Sequence, residues 1–158
     1  MKIKIKYIDK NMPKLEHIGG NKNSNWIDVR ASRVIINGRE IKFIRNGIEY
    51  KAGDFLQIYL GFALELPKGY EGHTAPRGST FKNFGLIQTN SVGVADEAFC
   101  GDNDEWFMPL YALKGGVIEK YDRIGQFRIM EKMPDISFEE VESLGNPDRG
   151  SQGSTGTK

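Results

Sequence analysis

Short runs in which apolar and polar residues alternate dominate this chain. Residues 2–7 alternate in this way and place Ile3, Ile5 and Tyr7 on one side of an extended segment. A period of two is typical of a half-buried β-strand. On the same basis, with apolar runs included, we predict further strands at 26–31, 33–36, 40–44, 55–66, 70–75, 86–89, 92–95, 105–112, 123–131 and 138–141.

Turn-forming residues separate these runs. Asn37-Gly38 predicts a tight hairpin, and Pro67-Lys68-Gly69 ends the predicted strand 55–66. Such signals recur at intervals of about 8–12 positions, the spacing of a sandwich or barrel. The only helical segment that we expect is one turn over residues 79–84 with Ser79 as its cap. The pattern therefore predicts an all-β protein.

The end of the chain differs from the rest. From residue 144 onward it consists of Gly, Ser, Asn, Asp and Pro with almost no apolar side chain. Such a segment cannot bury itself, so we predict a β-domain over 1–143 and a flexible C-terminal tail over 144–158. With 158 residues, 39% of them hydrophobic, the chain suffices for one domain and a core.

Charge and cysteine content exclude several classes of protein. The chain has 22 Lys and Arg against 21 Asp and Glu, so no basic footprint for nucleic acid or an anionic membrane is evident. No run approaches the ~20 apolar residues of a membrane span, and residues 1–7 alternate where a signal peptide would be continuously apolar. The single cysteine, Cys100, excludes a disulfide framework and a cysteine zinc cluster, and fits a reducing cytosol.

Two segments have the composition of anion-binding sites. In Pro76-Arg77-Gly78-Ser79 a strand ends and a helical turn begins, so free amides and a bidentate arginine can meet an anion. The tail carries Arg149 and Gly150, followed by Gly153, Ser154, Thr155 and Gly156, a composition that suits a flexible clamp on phosphates. Taken singly, each segment also fits an ordinary surface turn or linker.

Residues 90–101 combine an amide, a carboxylate and an aromatic ring on a predicted hairpin. Asn90 can read the planar edge of a base such as uracil, and Asp96 can orient and deprotonate a water molecule. Phe99 offers a flat surface for a sugar ring without a 2′-hydroxyl. A plain hairpin with a solvated Asp and a core Phe is the alternative. With the two anion-binding segments, this pattern indicates a hydrolase acting on a polyphosphate.

Five segments in order resemble the motifs of the trimeric dUTP pyrophosphatase (dUTPase) family. They are residues 26–31, 76–79, 90–101, 122–126 and 149–156, so the resemblance covers nearly the whole chain. Residues 102–106 are similar to dUTPases of Gram-positive bacteria and their phages. The resemblance implies a distorted jelly-roll-like β-barrel and a homotrimer with shared active sites. The implied reaction is dUTP plus water to dUMP plus pyrophosphate with Mg²⁺, in the cytosol of a bacterium or a phage-infected host.

The resemblance also implies a role for each matching residue. Asp96 falls on the water-activating carboxylate, Phe99 on the ring that stacks on deoxyribose, and Asn90 with the backbone of Val94 and Ala95 on the uracil contacts. The phosphate contacts fall on Arg77, Gly78, Ser79 and Gln126. The tail clamp falls on Arg149, Gly153, Ser154 and Thr155. Asp28 falls near Mg²⁺, which it would contact through water.

Three positions depart from the family pattern. Gly78 stands where a serine hydroxyl usually contacts phosphate, and Phe99 replaces a tyrosine. The tail lacks the aromatic residue that commonly stacks on uracil before Gly-Ser-Thr-Gly. Our hypothesis is that Phe107, or failing that Trp106, supplies this lid.

Three other functions compete with dUTP hydrolysis. The related dCTP deaminases need a glutamate near the phosphate turn, where this chain reads Thr80-Phe81-Lys82-Asn83. A dUTP-binding regulatory protein with weak catalysis and protein partners would account for Gly78 and the shortened tail. A structural jelly-roll protein of a virus particle would account for the strands alone.

Overall fold

The computed structural model describes residues 1–16 and 25–150, whose regular secondary structure is β-strand apart from one short helix. Every strand pairing among these residues is antiparallel. The strands are β1 (Lys4–Tyr7), β2 (Ile27–Arg30), β3 (Arg33–Ile36), β4 (Arg39–Ile41), β5 (Ile48–Tyr50), β6 (Phe55–Tyr59), β7 (Phe62–Glu65), β8 (Tyr70–Ala75), β9 (Leu86–Gln88), β10 (Gly93–Ala95), β11 (Phe107–Ala112), β12 (Gly116–Ile118) and β13 (Arg123–Glu131).

Two sheets form the body of the molecule. A four-stranded sheet has the order β10-β8-β13-β2, and a five-stranded sheet has the order β4-β3-β6-β11-β9. Strands β1 and β7 form one two-stranded sheet, and β5 and β12 form another. Fully buried Val29 and Phe127 of the first sheet belong to one core with Ile58 and Leu110 of the second. This arrangement confirms the predicted all-β, jelly-roll-like fold.

The hairpin between β3 and β4 forms where the sequence predicts it. Asn37 has φ +49° and Gly38 has φ +81°. Positive φ at both central residues is the property of the tight turns that match the strand twist, and Asn-Gly adopts it at least cost. The Asn37 side chain strengthens the turn, since its Oδ1 accepts a hydrogen bond from the Phe55 N–H at 2.9 Å.

The predicted strand 55–66 is wrong as a single element. The chain forms β6, turns at Leu60-Gly61, and continues as β7 in a different sheet. Gly61 has φ +79°, a left-handed conformation that glycine adopts without the cost of a Cβ. Because this stretch is apolar on both sides of Gly61, periodicity does not reveal the break.

Two further strand predictions need correction. Residues 138–141 form no strand, and Phe138 is 94% exposed. No strand of the described residues pairs with this segment, and its two apolar residues are three positions apart, which is not the period of a strand. Conversely, the sequence analysis missed β5 and β12, which have three residues each and pair with one another. Strands this short give no measurable period.

The only helix in the described residues is α1 (Thr80–Phe84), the predicted turn after Pro76. Ser79 occupies the capping position but makes no side-chain cap hydrogen bond, contrary to prediction. Its φ of −97° and ψ of −3° are helical, whereas a capping serine needs an extended backbone. Within residues 1–16 and 25–150, no helix has the length and apolar character needed to cross a bilayer.

Candidate functional site

A pocket of about 170 Å³ lies between the edge strand β10 and the start of β11. Five residues predicted for base and sugar binding lie together there, which the spacing alone could not establish. The residues that line the pocket are Thr74, Asn90, Gly93, Val94, Ala95, Phe99, Trp106, Phe107 and Pro109. The volume is below the roughly 300–1,000 Å³ of sites for drug-sized ligands, and it suits a single aromatic ring.

Strand β10, which lines this pocket, packs closely against β8 at a glycine. Gly93 pairs with Thr74, and a Cβ at Gly93 would overlap the Thr74 hydroxyl oxygen. The glycine therefore allows β10 to approach β8 closely. The predicted hairpin of residues 90–101 is wrong, because β10 is the only strand in that range and it pairs with β8. The turn between β9 and β10, which belong to different sheets, brings Asn90 to the pocket.

The two aromatic candidates for a lid have different environments. Trp106 is only 2% exposed and packs edge-on against Phe127 with ring centroids 5.2 Å apart. It is therefore part of the core, and the prediction that it could serve as a lid is wrong. Phe107 is 37% exposed and stacks on Tyr59 at 5.3 Å. Arg33 also contacts the Tyr59 ring, at 3.9 Å from its centroid.

A buried amide that the sequence analysis missed lies behind Asn90. Gln88 Nε2 donates to Asn90 Oδ1 at 2.8 Å and lies 3.3 Å from both oxygens of Thr74. The signal was present in the sequence, because Gln88 occupies the same side of β9 as the core residue Leu86. A polar residue at a core-facing position of a strand is informative in itself.

Asp96 begins the loop that leaves the pocket after β10. Its side chain is exposed, and Oδ1 accepts hydrogen bonds from the Ala98 N–H at 2.9 Å and the Phe99 N–H at 3.2 Å. These bonds fix the carboxylate relative to the Phe99 ring. Oδ2 has no hydrogen bond to any described residue, and in the chain Asp96 lies between the pocket residues Ala95 and Phe99.

The neighbouring Glu97 ties this loop to the body of the protein. One oxygen accepts from the Gly69 N–H, and the other accepts from Lys132 Nζ at 3.0 Å. The Gly69 hydrogen bond and then the Lys132 ammonium group hold the pKa of Glu97 below its usual value. The Asp96 loop is thus anchored both to the turn before β8 and to the end of β13.

The predicted phosphate turn lies at the far end of β8. The Arg77 N–H donates to Thr80 Oγ1 at 2.8 Å, and that hydroxyl donates to the Ile124 carbonyl at 3.0 Å. Gln126 Nε2 donates to the Pro76 carbonyl at 3.0 Å. Buried Thr80, rather than Ser79, therefore holds the turn, and the exposed Gly78 amide is left at its surface.

Asp28 joins two arginines beside this turn. Its Oδ1 accepts from Arg77 Nε at 2.8 Å and its Oδ2 accepts from Arg123 Nη1 at 3.3 Å. The side chains are partly exposed: Arg77 at 26%, Asp28 at 35% and Arg123 at 51%. Two cations against one carboxylate leave this cluster with a net positive charge. Such a surface favours a phosphate group over a free metal ion.

The predicted residues of the tail are described only in part. Arg149 and Gly150 are exposed, whereas Gly153, Ser154 and Thr155 lie outside the described residues. No group of three or more His, Cys, Asp or Glu side chains in the described part of the chain is arranged to hold a metal ion.

Comparisons with known proteins identify relatives over the full length of the chain. It is 49% identical over 158 residues, 100% of both chains, to the SPbeta prophage-derived deoxyuridine 5′-triphosphate nucleotidohydrolase YosS of Bacillus subtilis. It is 31% identical over 140 residues to the deoxyuridine 5′-triphosphate nucleotidohydrolase of Neorickettsia sennetsu, covering 87% of this chain and 85% of that one. No protein-family model matches the chain.

Solved structures share the fold at lower sequence identity. A variant of the Staphylococcus bacteriophage 80alpha dUTPase with dUpNHpp matches with a TM-score of 0.68 and 19% identity over 98% of each chain. A mutant dUTPase from phage phi11 of S. aureus, described with a structural Mg(II) ion, matches with a TM-score of 0.65 and 12% identity over 91% of this chain and 99% of that one. On the strength of its full-length relatives, this chain belongs to the deoxyuridine 5′-triphosphate nucleotidohydrolase (dUTPase) family.

Proposed function

We propose that this protein hydrolyses dUTP to dUMP and pyrophosphate by attack of water at the α-phosphate. The observation that carries the proposal is the pocket lined by Asn90 and Phe99, with the Asp96 carboxylate held by the Phe99 N–H directly after the pocket residue Ala95. Asn90 suits the base, Phe99 suits the deoxyribose, and Asp96 suits the attacking water. The reaction limits uracil entry into DNA and supplies dUMP.

The pocket half of the site recognises the nucleoside. The Asn90 amide and the backbone of Val94 and Ala95 bind the uracil ring, and Phe99 packs on the deoxyribose. A ring packed on the sugar leaves neither room nor a partner for a 2′-hydroxyl, which disfavours UTP. Phe107 closes the pocket as the aromatic lid. Its stacking on Tyr59 supports this role, because the ring is held in place while its outer part remains exposed.

Asp96 acts as the general base toward water. A carboxylate whose Oδ1 is held by two backbone N–H groups has its other oxygen at a fixed place. Proton abstraction by a positioned side chain contributes roughly 10²–10⁴-fold to a rate. In phosphoryl transfer, positioning and charge neutralisation matter more than a strong base.

The phosphate half of the site neutralises the triphosphate. Arg77, Gly78 and Ser79 bind phosphate oxygens, with Gln126 near the α-phosphate. Arg149 with the tail residues clamps the substrate. Arg77 is oriented by Asp28, which accepts from its Nε, and both Nη groups are left to donate to phosphate oxygens.

Magnesium fits this half of the site through the substrate. Both oxygens of Asp28 already accept from arginines, so this carboxylate suits a place in the water shell of the ion rather than direct ligation. Mg²⁺ keeps several waters and is commonly held by substrate phosphates. When bound, the ion supplies charge neutralisation on the triphosphate.

The two halves of the site lie toward opposite ends of β8 within one chain. Ala95, next to Asp96, pairs with Gly72, whereas Arg77 follows the end of the strand at Ala75. At about 3.3 Å per residue, Gly72 and Ala75 alone are about 10 Å apart. This separation favours a site in which Asp96 of one copy meets Arg77 of another, and it supports a homotrimer with shared sites.

The segment after β13 supports the same assembly. It carries apolar side chains with no cover in the described residues, including Met133 at 68%, Phe138 at 94% and Leu144 at 84% exposure. Exposed apolar side chains in such number mark an interaction surface. We place this segment on a neighbouring copy, where it would bring Arg149 to that copy's site. A cytosolic setting is compatible with the free, exposed Cys100.

Release of pyrophosphate from dUTP with Mg²⁺, beside UTP, dCTP and dTTP, tests the proposal. We expect release from dUTP alone, and Asp96→Asn should lower kcat by roughly 10²–10⁴-fold. Asp102→Asn is the matched control, because Asp102 is exposed on the same loop and pairs with Lys6 outside the pocket. Ammonia release from dCTP would show deamination instead, and dUTP binding without any release would show a regulatory protein.

A further inference from the structure

Gln88 is a polar residue at a core-facing position of β9, where apolar residues are usual. It is 7% exposed, alternates with exposed Ile87 on β9, and pairs across the sheet with the core residue Leu110. A leucine there would cost no polar desolvation. Moreover, Gln88 Oε1 is buried and has no hydrogen-bond partner among the described residues. Packing alone does not account for a glutamine at this position.

The partners of Gln88 determine which way its amide points. Nε2 lies 3.3 Å from the Thr74 carbonyl oxygen and 2.8 Å from Asn90 Oδ1. A backbone carbonyl can only accept, so the atom of Gln88 that faces it must be the donor nitrogen. With its nitrogen placed there, Gln88 can also donate to Asn90, and the oxygen of the Asn90 amide turns toward it.

This hydrogen bond decides what Asn90 offers to a ligand. Its oxygen accepts from Gln88, whereas Nδ2 makes no hydrogen bond to any described residue. Asn90 lines the pocket, with Nδ2 on the side of Gly93, where a Cβ would lie 3.5 Å away. The group of this amide that is left for a ligand is therefore the Nδ2 donor.

We propose that Gln88 is a positioning residue, which holds the Asn90 amide so that it donates to a carbonyl oxygen of the pyrimidine. The inference rests on the proposed function, since it concerns the same pocket. Gln88 does not line the pocket, so it acts on a ligand only through Asn90. Without the Gln88 donor, the Asn90 amide is free to rotate and presents its oxygen as readily as its nitrogen. A carbonyl-bearing base then loses a defined partner.

A purely structural role would give a different result. Gln88 also joins the two sheets through Thr74, so its loss could simply loosen the pocket. Such loosening would weaken binding whether or not Asn90 is present. If Gln88 acts through Asn90, the effects of substituting the two residues on binding free energy will not add. A double-mutant cycle measures this difference.

The test measures dUMP binding by calorimetry and dUTP kinetics for Gln88→Met, Asn90→Ala and the double variant. We expect Gln88→Met to weaken dUMP binding about five- to tenfold, the effect of one neutral hydrogen bond. In the Asn90→Ala background, the same substitution should change binding by less than about twofold. KM for dUTP should rise with the dUMP dissociation constant, whereas kcat should stay within about threefold, because the groups around phosphorus are untouched.

Controls separate the possible failures. Thr89→Val alters the exposed neighbour on the same turn and should leave binding unchanged. Gln88→Asn keeps an amide but is one methylene too short to reach Asn90, and it should reproduce the effect if Gln88→Met does not fold. Equal losses in both backgrounds, or no loss in either variant, would overturn the inference. A wild-type protein that binds no deoxyuridine nucleotide would overturn the proposed function itself.

Discussion

At the scale of single residues, the departure at Gly78 is open to a direct test. Gly78 is exposed, and a Cβ there would meet nothing within 4 Å. Its φ is not positive, so the backbone does not require glycine. Gly78→Ser should therefore add a phosphate-binding hydroxyl without strain. A hydrogen bond to a charged group stabilises by roughly 1.5–3 kcal/mol, so kcat/KM for dUTP should rise about tenfold or more.

Gly78→Ala is the control for this prediction. Like the Ser variant, the Ala variant restricts the backbone of the unfolded chain, which contributes roughly 0.4–1 kcal/mol of stability. Unlike the Ser variant, it has no hydroxyl. If Ala and Ser variants show the same kcat/KM, the phosphate turn does not use a side chain at this position.

The residue scale also shows what the sequence could predict about the site. Residue types and order sufficed to select Asn90 and Phe99 as candidates for one site, but not to show that they line the same pocket. They could not show that Asp28 lies between Arg77 and Arg123, partners 49 and 95 residues away in the chain. Gln88 was missed for a related reason, since its partner on β8 becomes a neighbour only when two sheets pack.

At the scale of elements, the contact between β8 and Trp106 predicts a strong effect from a small substitution. A Cβ at Gly72 would overlap the indole ring of Trp106, which is buried against Phe62 and Phe127 and cannot move aside. Gly72→Ala should lower the free energy of unfolding by roughly 1–3 kcal/mol, the usual cost of overpacking a core. Urea unfolding measures this difference.

Gly78→Ala serves as the matched control, because it adds the same methyl group in open space. Its free energy of unfolding should be unchanged or slightly higher. Equal stability of the Gly72→Ala and wild-type proteins would mean that Trp106 can be displaced, and that the wall of the pocket is softer than the packing indicates.

Elements bounded by turn residues were predictable, and those without such marks were not. Strands β8 and β13 have the predicted bounds, since turn-forming residues flank β8 and precede β13. The break at Gly61 is a single glycine between two largely apolar stretches, so no period marks it. In the segment 138–141, Phe138 and Val141 are three positions apart, and no strand of the described residues pairs with it. Apolar residues without a period of two are therefore weak evidence for a strand.

At the scale of the whole molecule, sharing of the active site between copies predicts that two inactive variants can restore one another. Asp96 and Arg149 belong to different parts of the proposed site. If they come from different copies, a mixed assembly of Asp96→Asn and Arg149→Ala chains contains some sites with both residues intact. Random mixing of equal amounts gives about one quarter of such sites, since each residue comes from a suitable chain half the time.

The measurement is pyrophosphate release from dUTP after the two variants are unfolded together and refolded. We expect about a quarter of wild-type activity from the mixture and almost none from either variant alone. Light scattering on the same samples gives the oligomeric state, which should be three copies. If one chain supplied both residues to a site, every mixed site would lack one of them, and the mixture would stay as inactive as its components. Because the exposed apolar segment after β13 is expected to pack on a neighbouring copy and to carry Arg149 there, we expect recovery.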